Sequence, residues 1–217
     1  ADLTPPPEPE WFEPAWWRGR GAETGTAPGR GSTVFIDAPF GAAALRRYLR
    51  GGWAARLSRD RYLYLGLGRC RSFQEFDLLR RMREAGLKVP APVAALCDRA
   101  GPLYRAALIT LRVAPTRSLA ERLDDPALDW GAVGAGLRGF HRAGVSHADL
   151  TARNILVHEE GGDVWLLDFD RCSFRPGRAV DGSAQLRRLR RSLDKLAPGG
   201  GEGLERRWAD LLAAYGA

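Results

Sequence analysis

The chain has 217 residues and a formal net charge of +7; hydrophobic residues make up 45% and charged residues 27%. That size suits one domain, or a domain of two small lobes, and the composition excludes a disordered or disulfide-scaffold chain. No apolar run approaches the roughly 18 residues of a spanning helix, and no charged and apolar leader opens the sequence, so neither a membrane span nor a secretory signal is expected. Cys70, Cys97 and Cys172 fit neither a disulfide framework nor zinc spacing and read as reduced thiols. The positive balance favours polyanionic partners (nucleotides, phospholipid headgroups or nucleic acid) without choosing among them.

Residues 1–10 are rich in Pro and Glu and read as a disordered or extended tail. Trp11, Phe12, Trp16 and Trp17 follow, an aromatic cluster suited to packing or to a membrane interface. Three antiparallel strands are expected at Ala22–Thr26, Thr33–Asp37 and Ala43–Leu49, with a Gly/Pro loop before the second. A helix is predicted over 72–85, where Phe73, Phe76, Leu79 and Met82 recur every three residues and Gly86 marks the stop. Val89–Leu96 and Tyr104–Leu111 read as two more strands. Ser118 begins a short helical string, SLAERL. A longer helix starts near Asp129, with Trp130, Val133, Leu137 and Phe140 on one face and Gly144 at its end. A small hairpin, Ile155–Val157 with Val164–Leu167, precedes two tail helices striped by Leu186, Leu189, Leu193 and Leu196 and by Trp208, Leu211, Leu212 and Tyr215. This order predicts an α+β protein: an N-terminal antiparallel sheet lobe with one helix over 11–112, and a C-terminal helical lobe over 113–217.

The residues that carry chemistry lie in His147-Ala148-Asp149-Leu150-Thr151-Ala152-Arg153-Asn154 and in Leu166-Leu167-Asp168-Phe169-Asp170. The first matches H-x-D-L-x-x-x-N, and the second is an apolar strand ending in D-F. A carboxylate in a loop, Asp149, can orient an acceptor hydroxyl and take its proton. Asn154 and Asp168 offer hard oxygens to Mg²⁺ bridging nucleotide phosphates. The plain structural alternative makes Asp149 and Asp168 element terminators and Asn154 a turn residue. His147 reads as a structural hydrogen-bonding residue.

Upstream, Gly29-Arg30-Gly31-Ser32-Thr33 is a shortened glycine loop. It can cradle phosphate on Gly29, Gly31 and Ser32, or be an ordinary hairpin turn. Arg46 stands where the kinase strand V-A-I-K has its Lys, and Arg47 points to the opposite face. Glu75 is the candidate helix partner of Arg46; alternatively Ser72-Phe73-Gln74-Glu75 is a capping box. The run Arg187, Arg188, Arg190, Arg191 is a solvated helix face or a contact for an anionic surface or substrate.

HADLTARNIL and LLDFDR, with AALRRYLRGG and RSFQEF, resemble the lipopolysaccharide kinase family of the protein-kinase-like superfamily, and most closely its 3-deoxy-D-manno-octulosonic acid (Kdo) kinases. The resemblance covers roughly residues 11–215. It implies a bilobal protein-kinase-like fold and transfer of the ATP γ-phosphoryl group to the 4-hydroxyl of Kdo on a lipid A precursor. It implies Mg²⁺, action at the cytoplasmic face of the bacterial inner membrane as a peripheral protein, and no nucleic-acid partner. Asp149 matches the family's active-site Asp, and Arg is usual in the family at the position of Arg46. Pro176 to Ser183 lacks an aromatic expected from the family. Alternatives are another small-molecule or protein Ser/Thr kinase, against which the short segment after Phe169 argues. A further alternative is a non-catalytic pseudokinase binding lipopolysaccharide precursors, against which the presence of Asp149, Asn154 and Asp168 argues.

Overall fold

The computed structural model describes residues 6–27, 33–49, 60–197 and 201–216. The chain divides into two compact units. The first runs up to Arg80 and includes Pro90–Arg112; the second combines Arg81–Val89 with the chain from Val113 onward.

In the first unit, the segment read as a tail already contains structure: Pro9–Phe12 is a 3₁₀ turn, because Trp11 and Phe12 are buried and draw the chain in. Helix α1 (Pro14–Arg18) follows. Trp17 donates its indole N–H to the Trp11 carbonyl at 2.7 Å, and both rings are buried, so this pair of the aromatic cluster packs the core. Six strands form one antiparallel sheet: β1 (Glu23–Thr26), β2 (Thr33–Ala38), β3 (Gly41–Arg47), β4 (Tyr62–Leu63), β5 (Pro92–Ala100) and β6 (Leu103–Leu111). The order is β1-β2-β3-β6-β4, with β5 also paired to β6. Alternation sends Val34, Ile36 and Ala38 of β2 and Ala43 and Leu45 of β3 to one face, where they meet Trp11, Trp17 and Ile109. Helix α2 (Arg71–Glu84) begins in this unit.

The end of α2 belongs to the second unit, although the whole helix was expected with the sheet. Arg83 donates to the Val89 carbonyl at 3.0 Å, Lys88 pairs with Asp163, and Leu166 N–H donates to the Lys88 carbonyl at 3.3 Å. These bonds tie residues 81–89 to the strand that ends near Asp168.

The second unit holds β7 (Thr116–Ser118), α3 (Trp130–Ala143), β8 (Val145–Ser146), β9 (Ile155–His158), β10 (Val164–Leu166), β11 (Ser173–Phe174), α4 (Ser183–Leu196) and α5 (Gly201–Tyr215). The SLAERL string is not a helix but a run of turns. Ser118 and Glu121 do exchange capping bonds, at 2.8 and 3.3 Å, yet Ser118 is committed to β7, which pairs with β9, and Pro126 closes the segment. Helix α3 starts on Asp129, whose carboxylate accepts from Ala132 N–H at 2.9 Å, and stops at Gly144, which takes a left-handed φ of 100°. All three cysteines are free thiols.

Candidate active site

Two small ladders position the second unit's motif. β8 pairs with β11, so the entry to the loop 147–154 lies beside the chain that follows Asp168. β9 pairs with β10, so the loop's exit lies beside the chain that precedes Asp168. Loop 147–154 and segment 167–172 are thereby held side by side. Leu167 N–H donates to the Asn154 carbonyl at 2.9 Å, which puts Asn154 opposite the residue next to Asp168.

Five of the loop's backbone N–H groups have partners that fix its geometry. His147 N–H donates to Gln185 Oε1 (2.7 Å), Ala148 N–H to Cys172 Sγ (3.3 Å), and Asp149 N–H to His147 Nδ1 (3.2 Å). Ala152 N–H donates to Ser192 Oγ (3.0 Å), and Asn154 N–H to the Thr151 carbonyl (2.9 Å). Asn154 also gives its amide N–H to the Asp149 carbonyl at 2.8 Å, which leaves its Oδ1 as a hard oxygen donor. Asp168 adopts a left-handed φ of 64°, a conformation that costs a non-glycine residue about 1–2 kcal/mol. The bonds on either side of it hold that turn: His147 to the Leu167 carbonyl, and Cys172 N–H to the Phe169 carbonyl.

His147 joins the two segments. Its Nδ1 accepts from Asp149, so the proton sits on Nε2, which donates to the Leu167 carbonyl at 2.9 Å. Its ring also meets the Phe169 ring edge-on, 5.1 Å between centroids. Burial pushes the His147 pKa below its usual 6.5, against the opposing pull of the Leu167 carbonyl and the nearby Asp168 and Asp149 carboxylates. Burial lowers His141 in the same way. A histidine kept neutral in the fold contributes stability that is complete above the unfolded pKa and lost as pH falls below it. Thermal melting followed from pH 8 to pH 5 is therefore expected to be flat above about pH 6.5 and to fall below it. His147→Gln should reduce that slope; an unchanged slope would show that His147 does not titrate in this window.

Asp149 itself carries a charged neighbour that the sequence did not place. Arg188 Nη1 of α4 lies 3.1 Å from Asp149 Oδ1. In the first unit, Arg46 pairs with Glu75, which is 4% exposed, and Tyr48 completes a triangle. Tyr48 donates its hydroxyl to Glu75 Oε2 at 2.5 Å and accepts from Arg46 Nη2 at 3.1 Å. Burial and the Glu75 charge push the Tyr48 pKa well up, so the phenol stays a donor. Ser72 is not in a capping box with Glu75: its hydroxyl goes to the Leu96 carbonyl at 2.6 Å, inside a helix that has already begun at Arg71. Arg47 points away, to Asp60 at 3.4 Å and Glu13 at 3.6 Å. Gly29, Gly31 and Ser32 lie outside the described residues.

No group of three His, Cys, Asp or Glu side chains able to hold a metal converges among the described residues. The hard-oxygen residues that the sequence singled out, Asp168 and Asn154, lie on these adjacent segments, with Asp149 in the loop and Asp170 two residues after Asp168. Hard oxygens in small number, completed by water and substrate phosphates, suit Mg²⁺ rather than zinc or a protein-only cage.

The profile of the lipopolysaccharide kinase (Kdo/WaaP) family matches residues 14–215. The chain belongs to that family. It is 47% identical over 207 residues to a 3-deoxy-D-manno-octulosonic acid kinase of Xanthomonas axonopodis pv. citri, covering 94% of this chain and 82% of that relative. The corresponding kinase of Stenotrophomonas maltophilia strain R551-3 is 47% identical over 191 residues, covering 87% and 76%. A solved structure of WaaP in complex with acyl carrier protein superposes with a TM-score of 0.55 at 20% identity, over 94% of this chain and 86% of that one. That likeness carries the fold, a protein-kinase-like α+β architecture. Within this Kdo/WaaP family member, the residues that sequence reasoning missed are Tyr48, Cys172, Gln185 and Ser192, and the pairing of Arg188 with Asp149. Tyr48 had a signal, since it stands two residues after Arg46 and a strand places such residues on one face. The others are long-range contacts with no local signature.

Proposed function

We propose that the chain is an ATP-dependent kinase that phosphorylates the 4-hydroxyl of Kdo on a lipid A precursor in lipopolysaccharide core biosynthesis. The observation that carries this reading is the Asp149 loop, fixed through its own backbone beside the turn that carries Asp168. The relatives that bear the Kdo kinase name span nearly the whole chain. Asp149 orients the acceptor hydroxyl and takes its proton as the oxygen attacks the γ-phosphorus. Asn154 and Asp168 are the residues that would hold Mg²⁺, which supplies charge neutralisation on the phosphates. Arg46, braced by Glu75 and Tyr48, presents a guanidinium for the nucleotide phosphates. The glycines of the Gly29–Thr33 stretch, read from the sequence as further phosphate contacts, lie outside the described residues. Most of the rate enhancement is positioning and electrostatics.

The test is direct. Purified protein is incubated with ATP, Mg²⁺ and a Kdo-bearing lipid A precursor, and the product is weighed. One added phosphate on the sugar is the expected result. Phosphate on a protein or an aminoglycoside, and none on Kdo, would move the enzyme to another acceptor class. No turnover with any acceptor would favour a pseudokinase.

A peripheral position on the inner membrane belongs to the same reading. No helix among the described residues is long and apolar enough to cross a membrane. Leu63, Leu65 and Leu67 nevertheless alternate outward, each more than half exposed, between Arg61 and Arg69. Apolar side chains flanked by cations suit an anionic lipid surface that presents the acceptor. Replacing Leu63, Leu65 and Leu67 together by Ser is expected to weaken sedimentation with phosphatidylglycerol-containing vesicles about 10-fold or more. Turnover of a lipid-free Kdo acceptor should be unchanged. Undiminished vesicle binding would remove these leucines from membrane contact.

A further inference from the structure

We propose that Arg188 forms the subsite that reads the acceptor's carboxylate; the proposal rests on the Kdo kinase reading. Helix α4 meets the catalytic loop through three side chains, Gln185, Arg188 and Ser192. Their spacing of three and four residues puts them on one stripe of the helix. Gln185 is buried and accepts from the His147 backbone N–H, and Ser192 accepts from that of Ala152, so these two fix the loop. Arg188 does something else. It contacts the carboxylate of Asp149 and no loop backbone group, and the two side chains are 47% and 41% exposed. A pair this open to water contributes little to folding.

The position matters for chemistry. An acceptor hydroxyl delivered to Asp149 sits within about 3 Å of its carboxylate. Arg188 Nη1 is 3.1 Å from Oδ1 of the same carboxylate, so its fork stands within about 8 Å of the attacking oxygen, whichever carboxylate oxygen takes the hydroxyl. Kdo is a ketose acid. Its carboxyl carbon is separated from the carbon bearing the 4-hydroxyl only by the ketose carbon and the deoxy methylene. A substrate bound through that hydroxyl brings a second anion close to Asp149, and two carboxylates in one site repel unless a cation stands with them. Arg188 can supply it without abandoning Asp149, because one guanidinium offers five N–H donors in a planar fork. The neighbouring Arg190 is committed elsewhere, to Asp194 at 2.8 Å and to Glu205.

The test pairs enzyme variants with acceptor variants. Wild type, Arg188→Gln and Arg188→Lys are assayed on the Kdo acceptor and on its carboxyl methyl ester, with ATP saturating. Wild type is expected to favour the acid over the ester by roughly 10- to 100-fold in kcat/KM, the loss typical of one charged hydrogen-bonded contact. Arg188→Gln should lose that preference by falling much further on the acid than on the ester, chiefly through KM, while its ATP KM holds. Arg188→Lys should keep part of the preference. Equal losses on acid and ester would mean that Arg188 only positions Asp149, and would overturn the proposal. So would a wild type that does not distinguish the two acceptors, or an Arg188→Gln enzyme that still does. Failure of wild type to phosphorylate either Kdo acceptor would overturn the proposed function, and this inference with it.

Discussion

Asp149→Asn is expected to lower kcat by about 10²- to 10⁴-fold, the range of a lost general base, while ATP binding stays near wild type. The substitution keeps the shape of the side chain and an oxygen that can face the acceptor hydroxyl, but the amide cannot take the proton. The loop should not move, because its fixing bonds come from the backbone N–H groups of His147, Ala148, Asp149 and Ala152 and from the Asn154 amide, none of them made by the Asp149 carboxylate. Arg188 would lose an exposed partner, worth about 0–1 kcal/mol. Melting temperature is therefore expected within a few degrees of wild type, and nucleotide affinity by titration calorimetry nearly unchanged. Near-wild-type turnover in this variant would remove Asp149 from the chemistry. A collapse in melting temperature would mean that the carboxylate holds the loop after all.

The sequence was most legible where the determinants are close along the chain. β2 announces itself by alternation at Val34, Ile36 and Ala38, and α3 by the Asp129 cap, its apolar face and Gly144. The HADLTARN and LLDFD strings are readable for the same reason: their spacing encodes a loop and a strand end. Contacts between distant segments were not readable. Arg188 meets Asp149 across 39 positions, and Ser192 meets Ala152 across 40. The charge run on α4 could be read as exposed, but no local pattern says which arginine meets the loop. The two-residue ladder of β8 with β11 is too short to leave a period, although it sets where the segment after Asp168 lies. SLAERL failed in the opposite sense. Its capping chemistry is real, but sheet pairing at Ser118 overrides helix propagation, as tertiary context commonly overrides local preference.

The Arg46–Glu75–Tyr48 triangle makes the second large prediction. Glu75→Ala is expected to destabilise the protein by about 3–5 kcal/mol, because it leaves the Arg46 charge mostly buried without its carboxylate. For a chain of this size that lowers the melting temperature on the order of 10 °C. Tyr48 would lose the acceptor of its hydroxyl as well. Activity would fall too, but a loss of fold alone could explain that, so a second variant separates the two. Arg46→Met with Glu75→Leu replaces the pair by apolar groups of similar volume. Such a replacement is commonly neutral or stabilising, since neither charge is then desolvated. The double variant should recover most of the stability lost in Glu75→Ala, short of about 1–3 kcal/mol for the Tyr48 hydroxyl left without its acceptor. If Arg46 grips nucleotide phosphates, it should still show an ATP KM raised about 10-fold or more. If the pair only braces β3 against α2, nucleotide binding should return along with stability. A largely restored melting temperature with normal ATP affinity would strip Arg46 of its proposed role and leave the triangle as a structural strut.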